Sequence, residues 1–335
     1  MISLWIRCLR WLGRTGLVLA ALAVVYVPQQ SAAQSAGKSG IPRTTSGHPS
    51  LQGHWTNTTV VPVQRPEELG EQRFLSAEEA EARLQRSLQI TETTPGTAAD
   101  VHYQLDDFGL DRSQNEVVTD RATSIIIDPP NGRLPAATPE AVAKLDASRE
   151  YRRVHGFDSA KHRPLAERCI VWANAPMLPI GYNSNFQIMQ TDDHVVIVME
   201  MIHDARIIPL DGAKHLPPHI GQWLGDAVGR WEGDTLVVET TNFTGEVGVR
   251  AAGGYAISPE GRLTERFTRM DDNTIRYEFT VDDPNTWTQP WSGDLPMTKI
   301  DGPMFEYACH EGNYGLANNL SGARADERKA ATQAN

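Results

Sequence analysis

The chain has 335 residues, 40% hydrophobic, 22% charged and 7% aromatic, a composition that suits one large globular domain or two modest ones and excludes a disordered, collagenous or multi-span membrane chain. Its 42 acidic residues against 31 Lys and Arg give a formal charge of −11. That excess excludes a nucleic-acid binder, which needs a basic surface to displace counterions from phosphates.

Arg7, Arg10 and Arg14 precede an uncharged run over 17–27 that is too short to span a bilayer, and the small residues Ser31, Ala32 and Ala33 follow. This pattern predicts a secretory signal peptide over 1–33, hence a periplasmic or secreted protein. Its removal makes the mature chain more acidic still, which favours solubility over adhesion to anionic lipid and leaves no stable membrane insertion. Cys8 departs with it. Cys169 and Cys309 remain, and in an oxidising compartment two cysteines most simply form one disulfide. Closing so long a loop restricts the unfolded chain by about 4 to 5 kcal/mol on the chain-entropy account. A reactive thiol is the alternative, and export disfavours it.

Residues 34–50 are rich in Ser, Gly and Thr without an apolar period and read as a flexible lead-in. A single domain is expected over 51–325, with a helical N-terminal half (51–184) and a β-rich half (185–315), followed by a flexible tail over 326–335. Residues 51–57 lead into a strand, and Ser76 with Glu79 sets a capping box for a helix to about Leu88. Residues 91–121 show no period and read as a surface loop. A strand over 123–127 stops at the Pro- and Gly-containing turn 128–132, and Thr138-Pro139 opens a helix to about Val154.

From Asn185 the texture changes to short β-type runs over 185–190, 195–202, 204–208, 235–243, 263–270, 275–282 and 304–310. That spacing predicts an antiparallel barrel or sandwich, mainly β with minor α. In one hairpin Leu263, Phe267, Ile275, Tyr277, Phe279 and Val281 are all odd-numbered, so a shared apolar face requires a three-residue loop at 271–273. Phe267 then opposes Tyr277, Glu265 opposes Phe279, and Arg266 opposes Glu278 as a cross-strand pair. The same reasoning sets Phe186 and Ile188 against Val196 and Val198, with a loop at 191–193. The run over 195–202 is apolar on both faces, so the two N-terminal helices are expected to cover the sheet.

The densest polar cluster, Glu200 with His203, Asp204 and Arg206, ends that run. A bulge between Ile202 and Asp204 would bring His203 to the carboxylates. Histidine moves protons near neutral pH, so His203 and Asp204 are the leading catalytic candidates, whereas Glu200 and Arg206 fit a buried ion pair at least as well as a site. Glu265 shares an apolar strand face and is either a desolvated general acid or the partner of a buried arginine, with Arg269 nearest in sequence. His310 follows Cys309, where a disulfide would stiffen its loop, and Tyr182 lies in a polar, aromatic stretch that suits a ligand contact or a turn. His215 and His219 flank two prolines that oppose a helical metal site. No zinc pattern, nucleophile elbow, phosphate loop or dinucleotide fingerprint occurs, so no cofactor is called for, although a metal assembled from separate strands stays open. Trp223, Trp231, Trp287 and Trp291 read mostly as core or rim residues.

Residues 200–212, 229–238, 277–284 and 307–314, together with 127–132 and 167–169, resemble a group of exported bacterial proteins usually described as hypothetical. The resemblance covers most of the mature chain and departs at His219. It implies an extracytoplasmic setting and a lipocalin-like barrel. No settled activity attaches to the group, so it lends no catalytic residues. The reading that follows is an exported hydrolase or lyase using acid/base chemistry on a small organic or glycosidic substrate in a barrel cavity. His203 with Asp204 would be base and orienter, Glu265 or His310 the acid, Arg206 the anchor, and Glu200, Tyr277 and Tyr182 substrate contacts. The alternative is a periplasmic ligand carrier without catalysis.

Overall fold

Among the described residues, nine antiparallel strands wind into one nearly closed barrel and a tenth pairs beside it. The computed structural model describes residues 40–89, 120–172, 174–179, 183–210 and 212–334; the expected signal peptide, most of the expected surface loop and Tyr182 lie outside them. The strands are β1 (Gly53–Thr56), β2 (Ile126–Asp128), β3 (Asn185–Gln190), β4 (His194–Met199), β5 (Ala205–Pro209), β6 (Asp226–Glu232), β7 (Thr235–Thr241), β8 (Arg262–Arg269), β9 (Thr274–Asp282) and β10 (Trp291–Lys299). Nine of them follow the order β5-β4-β3-β1-β10-β9-β8-β7-β6, and β2 pairs with β10 off that path. The mainly β, lipocalin-like barrel expected from the sequence is the fold observed.

The barrel closes where β5 and β6, the two ends of that order, lie side by side. They pack through side chains rather than through a backbone ladder. Gly229 on β6 makes this possible, because a Cβ there would stand 2.8 Å from Leu210 and 2.9 Å from Ile208.

The lumen is a packed core. Along β8, β9 and β10 every second side chain points inward, and Leu263, Glu265, Phe267, Tyr277, Phe279, Val281, Trp291 and Leu295 are all buried. The β8–β9 register is the expected one: Phe267 faces Tyr277, Glu265 faces Phe279 and Arg266 faces Glu278, with a loop at 271–273 closed by the Met270 N–H on the Thr274 carbonyl. The side chain of Arg266 turns instead to Glu232 on the neighbouring hairpin, at 3.0 Å.

Several expectations are corrected. Phe186 pairs with Met199 and Ile188 with Ile197 across a two-residue turn, so Val195, Ile197 and Met199 fill the core instead of Val196 and Val198. Strand β6 forms where none was expected, β10 replaces the strand expected over 304–310, and the C-terminal stretch is a helix, α3 (Tyr314–Gln333), with no buried residue.

Helix α1 (Ala77–Gln89) opens on the predicted capping box: the Ser76 N–H donates to Glu79 Oε2 at 2.7 Å, and the Glu79 N–H donates to Ser76 Oγ at 3.1 Å. Helix α2 (Pro139–His155) starts at Thr138, whose Oγ1 accepts from the Ala141 N–H and donates to the Asn285 carbonyl. Those bonds fasten α2 beside the loop after β9.

Gly293 on β10 lies under the Phe279 ring, and a Cβ there would sit 2.4 Å from two ring atoms and 3.3 Å from Ile125. Gly293→Ala is therefore expected to lose about 1 to 3 kcal/mol in urea unfolding through overpacking. Gly322→Ala, at an open position in α3, serves as the control and is expected to be neutral or slightly stabilising. Equal stability of the two variants would contradict the packing.

Candidate functional site

Two polar assemblies emerge, one inside the barrel and one at its end. Inside, Arg206 on β5 makes a forked ion pair with Glu265 on β8: Nη1 donates to Oε1 at 2.8 Å and Nη2 donates to Oε2. Nη2 also donates to Thr240 Oγ1 on β7 at 3.2 Å. The Tyr277 hydroxyl donates to Glu265 Oε1 at 2.8 Å and accepts the Met177 N–H at 3.0 Å. Arg206, Glu265 and Tyr277 are 4%, 0% and 0% exposed, so no substrate reaches them without opening the core. Burial and the neighbouring Glu265 charge push the Tyr277 hydroxyl well above its usual range. Both Nη atoms of the guanidinium and both carboxylate oxygens are bonded within this network, whereas Arg206 Nε is buried without a partner. The arginine that serves Glu265 is thus Arg206 and not Arg269, which stacks on Trp55 at 4.8 Å and donates to the carbonyls of Ser50, Asp271 and Asp272.

The second assembly is the turn between β4 and β5, residues 200–204. Here the chain leaves strand geometry: Ile202 has φ 61° and His203 φ 47°. Left-handed backbone is costly for a β-branched residue and persists only where surroundings over-determine it. The surroundings do so by burial, since Met201 and Ile202 are 1% and 2% exposed and pack against Ala166, Trp172, Tyr307 and Cys309. The last of these is bonded to Cys169, with a Cα separation of 5.7 Å, so the expected disulfide forms and clamps the two segments on which the turn rests.

The turn carries both of its carboxylates into partial or complete burial. Glu200 accepts from Asn185 Nδ2 at 2.7 Å and is further bonded by Asn183 and by the Phe305 backbone. Burial outweighs these donors and raises its pKa. Asp204 is less well served. It accepts from the Trp172 backbone, its Oδ2 is buried without a protein donor, and burial lifts its pKa from 3.8 to about 6 against the opposing pull of His203. His203 is exposed, and its Nδ1 lies 3.0 Å from the Tyr307 carbonyl. A carbonyl only accepts, so Nδ1 donates to it, which leaves Nε2 as the nitrogen turned away from that bond.

The structure therefore brings Arg206, Glu265 and Tyr277 together in the core and places His203, Asp204 and Glu200 together at the barrel end. His310 is exposed beyond the disulfide. Asn183, Asn185 and Trp172 are contributors that sequence reasoning did not single out as a set. The polar run over 183–185 signalled the two asparagines, and no pattern marked Trp172. Among the described residues no three metal-ligating side chains cluster, and no helix is long and apolar enough to cross a membrane. No protein-family model matches the chain, and no curated protein matches it.

The Asp204 shift has a thermodynamic consequence. With a folded pKa near 6 against an unfolded value near 3.8, the native state holds the proton more tightly, so its contribution is fully present below about pH 4 and fades as pH rises through 6. Asp204→Asn lacks this dependence. Denaturant unfolding at pH 4 to 7 is expected to show wild type losing on the order of 1 to 2 kcal/mol relative to the variant, after discounting for solvent screening. Parallel curves would show that Asp204 ionises normally.

Proposed function

We propose that this chain is an exported enzyme of the hydrolase or lyase type, performing acid/base chemistry on a small organic or glycosidic substrate at the barrel end formed by residues 200–204. One observation carries the reading: His203 is held on the Tyr307 carbonyl with Nε2 free, next to Asp204, whose buried Oδ2 has no protein donor. In the hydrolytic form, Nε2 takes a proton from water as its oxygen attacks, and the protonated Asp204 carboxyl gives a proton to the departing oxygen. Exchange with solvent then returns both groups to their starting states. Lysis differs only in that Nε2 takes its proton from carbon.

In this reading Glu200 orients the turn through Asn185 and Asn183, while Arg206, Glu265 and Tyr277 serve as scaffold. A carboxyl whose pKa is raised to about 6 keeps a proton to donate at mildly acidic pH. The cysteine pair and the N-terminal pattern support an extracytoplasmic setting.

The test is mass spectrometry of the mature protein incubated with a panel of glycosides, esters and hydroxy acids. Wild type is expected to convert at least one compound, with kcat falling about 100-fold or more in both His203→Ala and Asp204→Asn. Conversion unaffected by either change in folded protein would overturn the assignment of these residues. Retention of an unaltered compound would support a carrier instead.

A further inference from the structure

We infer that a groove outside the barrel binds a small organic anion with an apolar or aromatic body. It has a volume of about 510 Å³ and runs between α2, the segment 161–172 and the loops at 245–248 and 254–258. That volume falls in the range of small-molecule sites.

The charge of the groove reverses that of the protein. The chain as a whole is acidic, yet five Lys and Arg side chains line this groove against one carboxylate, Glu246. Arg163 is committed to Glu167 at 2.8 Å. Along α2, Asp146 is taken by Arg149 and Glu150 by Arg153. Arg168, half-buried, is held on the Lys161 carbonyl at 3.3 Å, whereas Lys144, Arg152 and Lys161 have no ion pair among the described residues and stand exposed around the groove. Three unpaired cations over one concavity raise the local concentration of anions. An arginine among them supplies a planar fork that matches a carboxylate, sulfate or phosphate head group.

The groove wall fixes the other half of the ligand. Leu145, Val171 and Trp172 line it beneath the cations, so the body that accompanies the anionic head is apolar or aromatic. Lys144 and Arg152 are eight residues apart, two turns of one helix face, which aligns their side chains along the groove. The inference does not depend on chemistry at residues 200–204, because binding is read without turnover.

Isothermal titration calorimetry on the mature protein would compare naphthalene-2-carboxylate with naphthalene-2-carboxamide, a neutral probe of the same shape, at low and high salt. The carboxylate is expected to bind at least about tenfold more tightly. That preference should shrink at high salt and vanish in the triple variant Lys144→Gln, Arg152→Gln, Lys161→Gln, whose changes are all at exposed positions. Equal binding of the two probes, no heat from the carboxylate up to about 5 mM, or a preference that survives in the triple variant would each overturn the inference. So would binding of poly-glutamate without binding of the naphthoate, which would assign the surface to an acidic polypeptide.

Discussion

The ion pair between Arg206 and Glu265 is the interaction on which the barrel depends. Strands β5 and β6 meet without a backbone ladder, and Arg206 passes beneath that seam to reach Thr240 on β7 and Glu265 on β8. Two charges removed from water are tolerated only when geometry is good and the remaining lone pairs are filled. Here the guanidinium fork meets both carboxylate oxygens, and Tyr277 supplies a further donor. Tyr277 in turn accepts from Met177, so the seam, the β9 wall and the chain before β3 are joined in one network. The consequence for function is spatial. Trp55, Phe267, Phe279 and Trp291 fill the lumen around this network, which leaves the barrel end and the outer face as the places for the proposed site and groove.

At that end, strain and support are matched. Ile202 and His203 hold left-handed backbone, and their neighbours Ala166, Trp172, Tyr307 and Cys309 are tied together through the Cys169–Cys309 bond. The same contacts that stabilise the turn fix His203 on the Tyr307 carbonyl and enclose one oxygen of Asp204. Preorganisation of this kind is what proton transfer requires of a site. Trp172 belongs both to the support of the turn and to the wall of the cationic groove, so the turn and the proposed ligand groove share a side chain.

Much of this was legible in the sequence where hydrophobic parity was unambiguous. The β8–β9 hairpin alternates cleanly, and its register, loop and inward Glu265 follow from parity alone. The β3–β4 hairpin does not alternate: residues 195–198 are apolar at every position, so either parity buries good side chains, and the turn chemistry decided for the two-residue form. Strand β10 was hidden by Gly293 and Pro296, and β6 by Gly229, because breakers inside a strand read as turns until the packing that requires them is seen. Helix α3 buries nothing and therefore has no apolar stripe to announce it. Glu265 was recognisable as a buried carboxylate, yet its partner lies 59 residues away across the seam, a closure that no local pattern encodes. The groove cations Lys144 and Arg152 share a helix face at an eight-residue spacing, which by itself carries no chemical motif.

Closure of the barrel by the buried Arg206–Glu265 ion pair is tested most directly by a double-mutant cycle in guanidinium unfolding. Arg206→Met and Glu265→Gln each leave one charge buried without its partner. Each is expected to lose about 3 to 5 kcal/mol, whereas the double variant, with no buried charge, recovers much of that loss and gives a coupling energy above about 2 kcal/mol. Additive losses, or single variants as stable as wild type, would show that the pair does not hold the seam.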